Sequence, residues 1–387
     1  MRVTPADVGT AQKLDRLLHD AWAAWCARFG PSLEIVQDSP AIREKILLRP
    51  ASRTQWENPL EEAYYGAGEG RAVVEHPEVF LYHLADVFIT GSEVMLFGGA
   101  HTLLRLDSSQ DEVEARKVRR PIAWRARRVQ GPLLPLGGRG TGNRGHFLCE
   151  HLPRLLLARE RLGGELPLRV LLTPGHAAWQ REYLARLGEN PQLAVEGSRG
   201  TVCCEDAWFV PNLTPGRIVQ LYEPATYREI ARRFKSGLAP RRGGRNLFVT
   251  RKDAPSRRLA NEDDVFAAFR QDFPGLERVS LSGMSLQDQI ALFADARVVV
   301  GAHSQAFRNL LYAEGALAVQ LVPGPREPAN QYLAWATNYE RLGVIHGNRC
   351  LSLYSGLPYE DGDWTFPLEP LKQALARLGA LGPSVLP

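Results

Sequence analysis

Long apolar runs are missing from this 387-residue chain, and no stretch approaches the roughly 18 consecutive apolar residues of a membrane span. The first residues, MRVTPADVGTAQKLDRLLHD, are charged where a secretory leader needs its apolar core, so a cytoplasmic protein is expected. Cysteine is scarce. Cys26, Cys149, Cys203, Cys204 and Cys350 include no C-x-x-C pair and leave an odd thiol, which excludes a disulfide scaffold and points to buried, reduced thiols. A dominant charge is lacking too: 47 basic against 43 acidic residues give a net +4, too even to imply nucleic-acid binding. Only six of the 47 are lysines, leaving 41 arginines. Otherwise 44% apolar and 23% charged residues are ordinary values that exclude a disordered chain or a coiled coil. The length suits two domains at a prior of roughly 150 residues each.

Residues 11–29, AQKLDRLLHDAWAAWCARF, set Leu14, Leu18, Trp22, Trp25 and Phe29 on one face of an amphipathic helix. That face packs on the main body, with a membrane or a second subunit of a homodimer as open alternatives. The turn-rich stretch after it completes a helical and irregular appendage over 1–75. VFLYHLADVFIT, EVMLFG and HTLLRL are then short strands separated by turn residues. A basic run follows, from Arg116 to Arg128 with Trp124 inside it, directly after Asp107, Asp111, Glu112 and Glu114. It is a solvated strand face paired with that acidic loop, or a contact for an anionic acceptor or lipid headgroups.

From 146 onward helix and strand alternate, the pattern of doubly wound α/β structure. FLCEHLPRLLLARERLG and AAWQREYLARLG read as helices, LPLRVLLTP and DAWFVPN as strands. A proline-rich linker over 212–244 precedes a second block: strand RNLFVTR, helix NEDDVFAAFRQDF, strand LERVSL, helix SLQDQIALFADA, strand RVVVGA, helix SQAFRNLLYA and strand LAVQLVP. The expected architecture is two Rossmann-like domains, 76–225 and 240–345, facing each other across a cleft, with a C-terminal segment 346–387.

Three constellations can carry chemistry. Asn143, His146, Glu150, Pro153 and Arg154 follow a glycine-rich turn, with His146 and Glu150 four apart on one helical face. A histidine held by a carboxylate is a candidate general base, although either residue could be the base and a capped helix with a surface ion pair is the plainer reading. Arg251, Lys252, Arg257 and Arg258, before Asn261 and Glu262, sit in a loop at the carboxyl end of a strand, where α/β sheets bind ligands. Guanidinium forks there suit phosphate oxygens. Gly301, His303, Ser304, Gln305 and Asn309 form a strand, a tight turn and a helix whose N-cap is Ser304, a natural diphosphate cradle. Asp361-Gly362-Asp363 is formally a D-x-D, but its position suits a surface turn.

The order and spacing of these elements resemble glycosyltransferase family 61, the DUF563 family. Its N-Y-x-H-W-x-x-E/D-x-x-P-R element matches Asn143, His146, Glu150, Pro153 and Arg154. Its strand-S-R…R-R…N-E element matches Arg251, Arg257, Arg258, Asn261 and Glu262. Its L-S-x-x-E-Q-x-x-L-F-x-x-A run matches Ser285, Leu286, Gln289, Leu292, Phe293 and Ala296, and its G-x-H-G-A-G-L-x-N element matches Gly301, His303 and Asn309. The resemblance spans about 80–345 and implies a GT-B fold, an inverting mechanism and a nucleotide-sugar donor, UDP-linked, in the C-terminal domain. No cofactor and no obligatory metal are implied. The partners would be that donor and a bacterial glycan or lipid-linked acceptor held by the N-terminal domain, with no nucleic acid and with peripheral membrane contact left open. Arg251, Arg257, Asn261, Gly301, His303, Ser304, Gln305, Asn309 and Gln320 would bind the donor, and His146 and Glu150 would act on the acceptor. Both motif glycines are replaced here, His303-Ser304-Gln305-Ala306-Phe307 standing for H-G-A-G-L. Gln320 stands where relatives often carry a glutamate for the ribose. A non-catalytic glycan- or nucleotide-binding relative is therefore the alternative. The stripe Leu368, Leu371, Leu375 and Leu378 predicts a final helix, which in a GT-B protein would cross back to the N-terminal domain.

Overall fold

The computed structural model describes residues 34–90, 95–98, 102–104, 106, 121–137, 140–197, 201–213, 223–238, 244–357 and 362–381. The helix expected over 11–29 and most of the 107–128 acidic and basic run lie outside the described residues. The chain divides into two compact units, one from residues up to 52 with 77–217, the other from 53–76 with 218–387. Both are α/β and both contain parallel strands. Among the described residues nine α-helices occur, and none is long and apolar enough to cross a membrane.

The first unit is built on a ten-stranded mixed sheet. Its long strand Val79–Thr90 pairs antiparallel with Thr201–Phe209. Leu84, Val87, Ile89, Val202, Cys204 and Ala207 join one apolar cluster there. Beyond that pair the sheet turns parallel: Leu133–Pro135, Arg169–Leu172 and Ala194–Glu196 run side by side. Helices Leu152–Leu162 and Ala177–Leu187 make the crossovers.

The second unit carries an all-parallel five-stranded sheet. In chain order its strands are Arg245–Val249, Leu276–Val279, Ala296–Ala302, Leu317–Val322 and Arg349–Tyr354, laid out in space as 2-1-3-4-5. Every residue of Leu317–Val322 is buried, as an apolar run flanked by helices on both faces must be. The order reverses between the first and third strands, so a crevice opens at their carboxyl ends. Gly301 makes that pairing possible: a Cβ there would stand 2.6 Å from Val249 O.

Two stretches depart from the sequence reading. Residues read as an irregular appendage are strands and a helix. Glu34–Val36 and Ile42–Arg49 join the first unit's sheet. Ser52–Glu57 and Arg71–His76 form a two-stranded sheet with helix Pro59–Tyr65 between them. Leu60 and Tyr64 of that helix enter the second unit's core, while Asn58 Nδ2 donates to Cys350 O at 2.9 Å and Tyr65 Oη to Ser352 O at 2.6 Å. The final helix, Leu368–Ala380, is also placed differently from expectation. Its Leu371, Leu375 and Leu378 sink into the second unit's own core with Val265 and Phe269. Its leucine stripe finds its apolar partner on the neighbouring helix Glu262–Asp272, so the crossing-back expectation is corrected.

Candidate functional site

The crevice at the switch point of the second unit is a cavity of about 340 Å³. One wall is the loop after Arg245–Val249, the other the turn after Ala296–Ala302. Arg251, Arg257, His303, Ser304 and Gln305 all line it.

The loop owes its shape to one buried carboxylate. Glu262, 1% exposed, accepts from Thr250 Oγ1 at 2.6 Å and from the Arg251 N–H at 2.9 Å, and Arg278 lies 3.7 Å away. A hydrogen bond to a charged group is worth about 1.5–3 kcal/mol, so this anchor fixes where the loop leaves the strand. Of the four cations expected to face phosphate, three have other engagements. Lys252 pairs with Asp263 at 2.6 Å, and Arg258 with Asp363 at 2.7 Å. Arg251 braces the loop, donating from Nε to Arg257 O at 3.1 Å and from Nη2 to Ser256 O at 2.9 Å. The Arg257 guanidinium has no ion pair or hydrogen-bond partner among the described residues, and its backbone is held at φ 56°. A left-handed arginine is strained, and such strain collects at functional sites. The second carboxylate of the formal D-x-D is Asp363, whose two oxygens both serve Arg258.

His303 is 8% exposed, and its ring lies among Tyr332, Trp335 and Tyr339. Gln320 settles its tautomer. Gln320 Nε2 donates to Ala336 O at 2.9 Å, so its Oε1 faces His303 at 3.1 Å and accepts a hydrogen bond from the Nδ1–H. Burial pushes the imidazole pKa down to about 4, with the Gln320 bond opposing and Arg257, Arg251 and Arg308 adding to the fall. His303 is thus a neutral ring with Nε2 as an acceptor.

The helix expected after His303 is a seven-residue 3₁₀ segment, Gln305–Leu311, and the Ser304 side chain does not cap it. Four expected donor contacts do not line the crevice. Asn261 exchanges both its amide groups with the Phe366 backbone, at 2.8 and 3.0 Å. Asn309 faces Gln289, Gln320 orients His303, and Gly301 lets the strands meet. Sequence reading missed Asp253, Trp335 and Tyr339, which do line it. Asp253 is signalled only by its place in the loop, and the two aromatics lie on a helix, Gln331–Ile345, outside every motif.

The His146–Glu150 pair lies in the first unit, at the carboxyl end of strand Leu133–Pro135. Asn143 caps the turn, its Oδ1 accepting from Gly145 N at 2.9 Å. A π-helical turn, Phe147–His151, then leads into the helix Leu152–Leu162. Such turns recur at functional sites. His146 Nδ1 bonds Glu150 Oε1. The imidazole keeps 25% of its surface exposed and the carboxylate 9%. The imidazole is thus the more exposed of the two groups. Gly140 holds the approach: it has φ +74°, and a Cβ there would lie 2.7 Å from His146 Cγ. Behind the pair Arg154 is fully enclosed, donating to Val210 O at 2.6 Å and Gly137 O at 3.0 Å. Burial lowers its pKa to about 10 while Glu150 opposes the fall. Gln180 ties Thr141 O to Thr173 N, fixing the loop beside His146.

No curated protein matches the chain. The stretch that holds the His146–Glu150 pair, the arginine loop and the His303 turn, residues 145–319, matches the family model described as Glycosyltransferase 61, the family that its motifs resemble.

Proposed function

We propose that the protein is an inverting, metal-independent glycosyltransferase that moves a sugar from a UDP-sugar to a bacterial glycan or related acceptor. The observation that carries this reading is the switch-point crevice with the unpartnered Arg257 beside Arg251, inside the family-matched segment. Two guanidiniums there supply the charge that a departing diphosphate needs. Trp335 and Tyr339 give the same crevice an aromatic wall for a base.

In the reaction His146 Nε2 takes the proton of the acceptor hydroxyl, and the freed oxygen pair forms the new bond to the anomeric carbon. The bond from that carbon to the diphosphate oxygen breaks on the opposite face, and UDP leaves with its electron pair. Glu150 holds the imidazolium through Nδ1, and the proton passes to solvent afterwards. The reading needs the two units paired in the GT-B manner.

Thermal shifts with UDP, GDP, CMP and dTDP test the donor, followed by hydrolysis of the matching nucleotide sugar with and without EDTA. Saturable stabilisation by UDP and slow EDTA-resistant hydrolysis are expected. Silence across the panel would overturn the reading. Ser304 stands in the crevice where the family motif has glycine and Gln305 where it has alanine, and Ser304 Oγ and Gln305 Oε1 are buried without partners among the described residues. That favours a second reading, a nucleotide- or glycan-binding protein without turnover, which stabilisation without hydrolysis would select.

A further inference from the structure

His303 is fixed in one tautomer and one orientation. Gln320 Oε1 takes its Nδ1–H and is itself pinned by the bond from Nε2 of the same amide to Ala336 O. The second ring nitrogen of His303, Nε2, therefore presents a lone pair. It has no hydrogen-bond partner among the described residues, yet it is not one of the buried polar atoms cut off from solvent. Because the residue is only 8% exposed and lines the crevice, that access opens into the crevice.

A lone pair is the wrong partner for a diphosphate. Phosphate oxygens near pH 7 are acceptors, the last proton leaving at a pKa of about 6, so a phosphate oxygen and Nε2 would face each other as two acceptors. Protonation does not reverse this. Burial holds the imidazole pKa at about 4 against the Gln320 bond, and the nearby Arg257, Arg251 and Arg308 lower it further. The crevice thus has two walls of different chemistry, guanidinium on the Arg251–Arg257 loop and a neutral acceptor on the His303 turn.

The aromatic neighbours indicate which part of a ligand meets that acceptor. The imidazole lies within 28° of the Tyr339 ring plane and 21° of the Trp335 plane, at centroid distances of 5.1 and 6.3 Å, and both aromatics line the same crevice. A flat base stacked on that wall lies nearly parallel to the imidazole, whose Nε2 lone pair lies in the ring plane. The base edge, or the ribose attached to it, is placed to meet Nε2 while the phosphates turn to the arginines.

We propose that His303 Nε2 is a specificity-determining acceptor that takes a hydrogen bond from an uncharged donor on the nucleoside half of the ligand, a base N–H or a ribose hydroxyl, and takes no part in holding the diphosphate. This inference rests on the nucleotide reading of the crevice given above.

Titration calorimetry on the full chain with UDP and with inorganic pyrophosphate tests it. His303→Asn keeps an amide donor for Gln320 and removes Nε2. It should weaken UDP about 3- to 10-fold and leave pyrophosphate within twofold, whereas Arg257→Gly should weaken both. Ligand analogues identify the donor: a penalty for N3-methyl-UDP points to the base N–H, and one for 2′-deoxy- or 3′-deoxy-UDP to a ribose hydroxyl. Whichever penalty the parent shows should vanish in His303→Asn. Imidazole ¹⁵N spectra of the parent give a reading that needs no variant, with His303 Nε2 unprotonated at pH 7 and its resonance moving on addition of UDP. Equal loss of UDP and pyrophosphate in a folded His303→Asn, no penalty for any analogue, or a protonated Nε2 at pH 7 would each overturn this inference and leave the nucleotide reading standing. A parent chain that binds neither UDP nor pyrophosphate would overturn both.

Discussion

Replacing Arg257 by glycine should make the protein more stable and worse at holding a nucleotide. The residue sits at φ 56°, a left-handed conformation that costs a side-chain-bearing residue about 1–2 kcal/mol. Glycine removes that strain and gives back roughly 0.5–1 kcal/mol through the freer unfolded chain. The net gain is about 0.5–1 kcal/mol, and no partner is lost, because the guanidinium has none among the described residues. In a unit of this size 1 kcal/mol moves Tm by about 2–4 °C, so a rise of roughly 1–4 °C is expected in the absence of ligand. Binding should move the other way. Each charge-assisted hydrogen bond to phosphate contributes about 1.5–3 kcal/mol, so losing one weakens UDP binding by roughly 10- to 150-fold. Differential scanning fluorimetry and titration calorimetry read the two effects separately. Arg257→Lys keeps both the strain and the charge, and should leave Tm near the parent's with a smaller loss of affinity. A fall in Tm for the glycine variant would show that the guanidinium is a structural brace. An unchanged Kd for UDP would remove the diphosphate from this crevice.

Three further outcomes are expected. His146→Ala should lower turnover by at least about 10²-fold in steady-state assays while Kd for UDP stays within twofold, since positioned bases contribute about 10²–10⁴-fold; equal loss of both would make His146 structural. Asn261→Ala should do the reverse of what its motif position suggests, costing about 2 kcal/mol in urea unfolding by orphaning two Phe366 backbone groups and leaving UDP affinity unchanged. His303 should make the protein acid-sensitive. Its folded pKa of about 4 lies below the ordinary imidazole value of 6.5, so as pH falls through 6.5 the unfolded chain binds a proton that the folded one refuses. That contribution is whole above pH 6.5 and is lost between 6.5 and 4, amounting to about 3 kcal/mol. Urea midpoints from pH 7.5 to 4.5 should flatten in His303→Asn, with a residual slope from His346, which burial also lowers to about 4. An identical slope in parent and variant would show that His303 is not buried neutral.

The alternating half of the chain was legible because its strands are continuous apolar runs bounded by turns. RVVVGA and LAVQLVP could be little else than central parallel strands, and the 2-1-3-4-5 order brings the arginine loop and the His303 turn to one crevice. The 34–76 region was not legible. IREKILLR carries three consecutive charged residues inside a strand, and the partners of 53–76 lie more than 250 residues away: Cys350 for Asn58, Ser352 for Tyr65, Arg326 for Glu61. Local pattern carries no trace of such pairings. The 3₁₀ segment after Ser304 was read as an α-helix because apolar spacing alone does not separate the two over seven residues.

The arginine loop shows why residue type fell short of residue role. Four cations within eight positions read as one phosphate site, yet their distinction lies in where the acids are. Asp263 is the second residue of Glu262–Asp272 and takes Lys252. Asp363 is more than a hundred residues downstream and takes Arg258 through both its backbone N–H and its side chain. Glu262, buried and spent on Thr250 and on the Arg251 N–H, cannot swing out to neutralise a third. The carboxylates thus subtract Lys252 and Arg258 from the basic run and backbone carbonyls hold Arg251, which leaves the Arg257 guanidinium without a partner among the described residues, on a strained backbone that the surrounding bonds hold in place. On the reading proposed above, a phosphate group entering the crevice would supply the charge that the fold has withheld from that side chain.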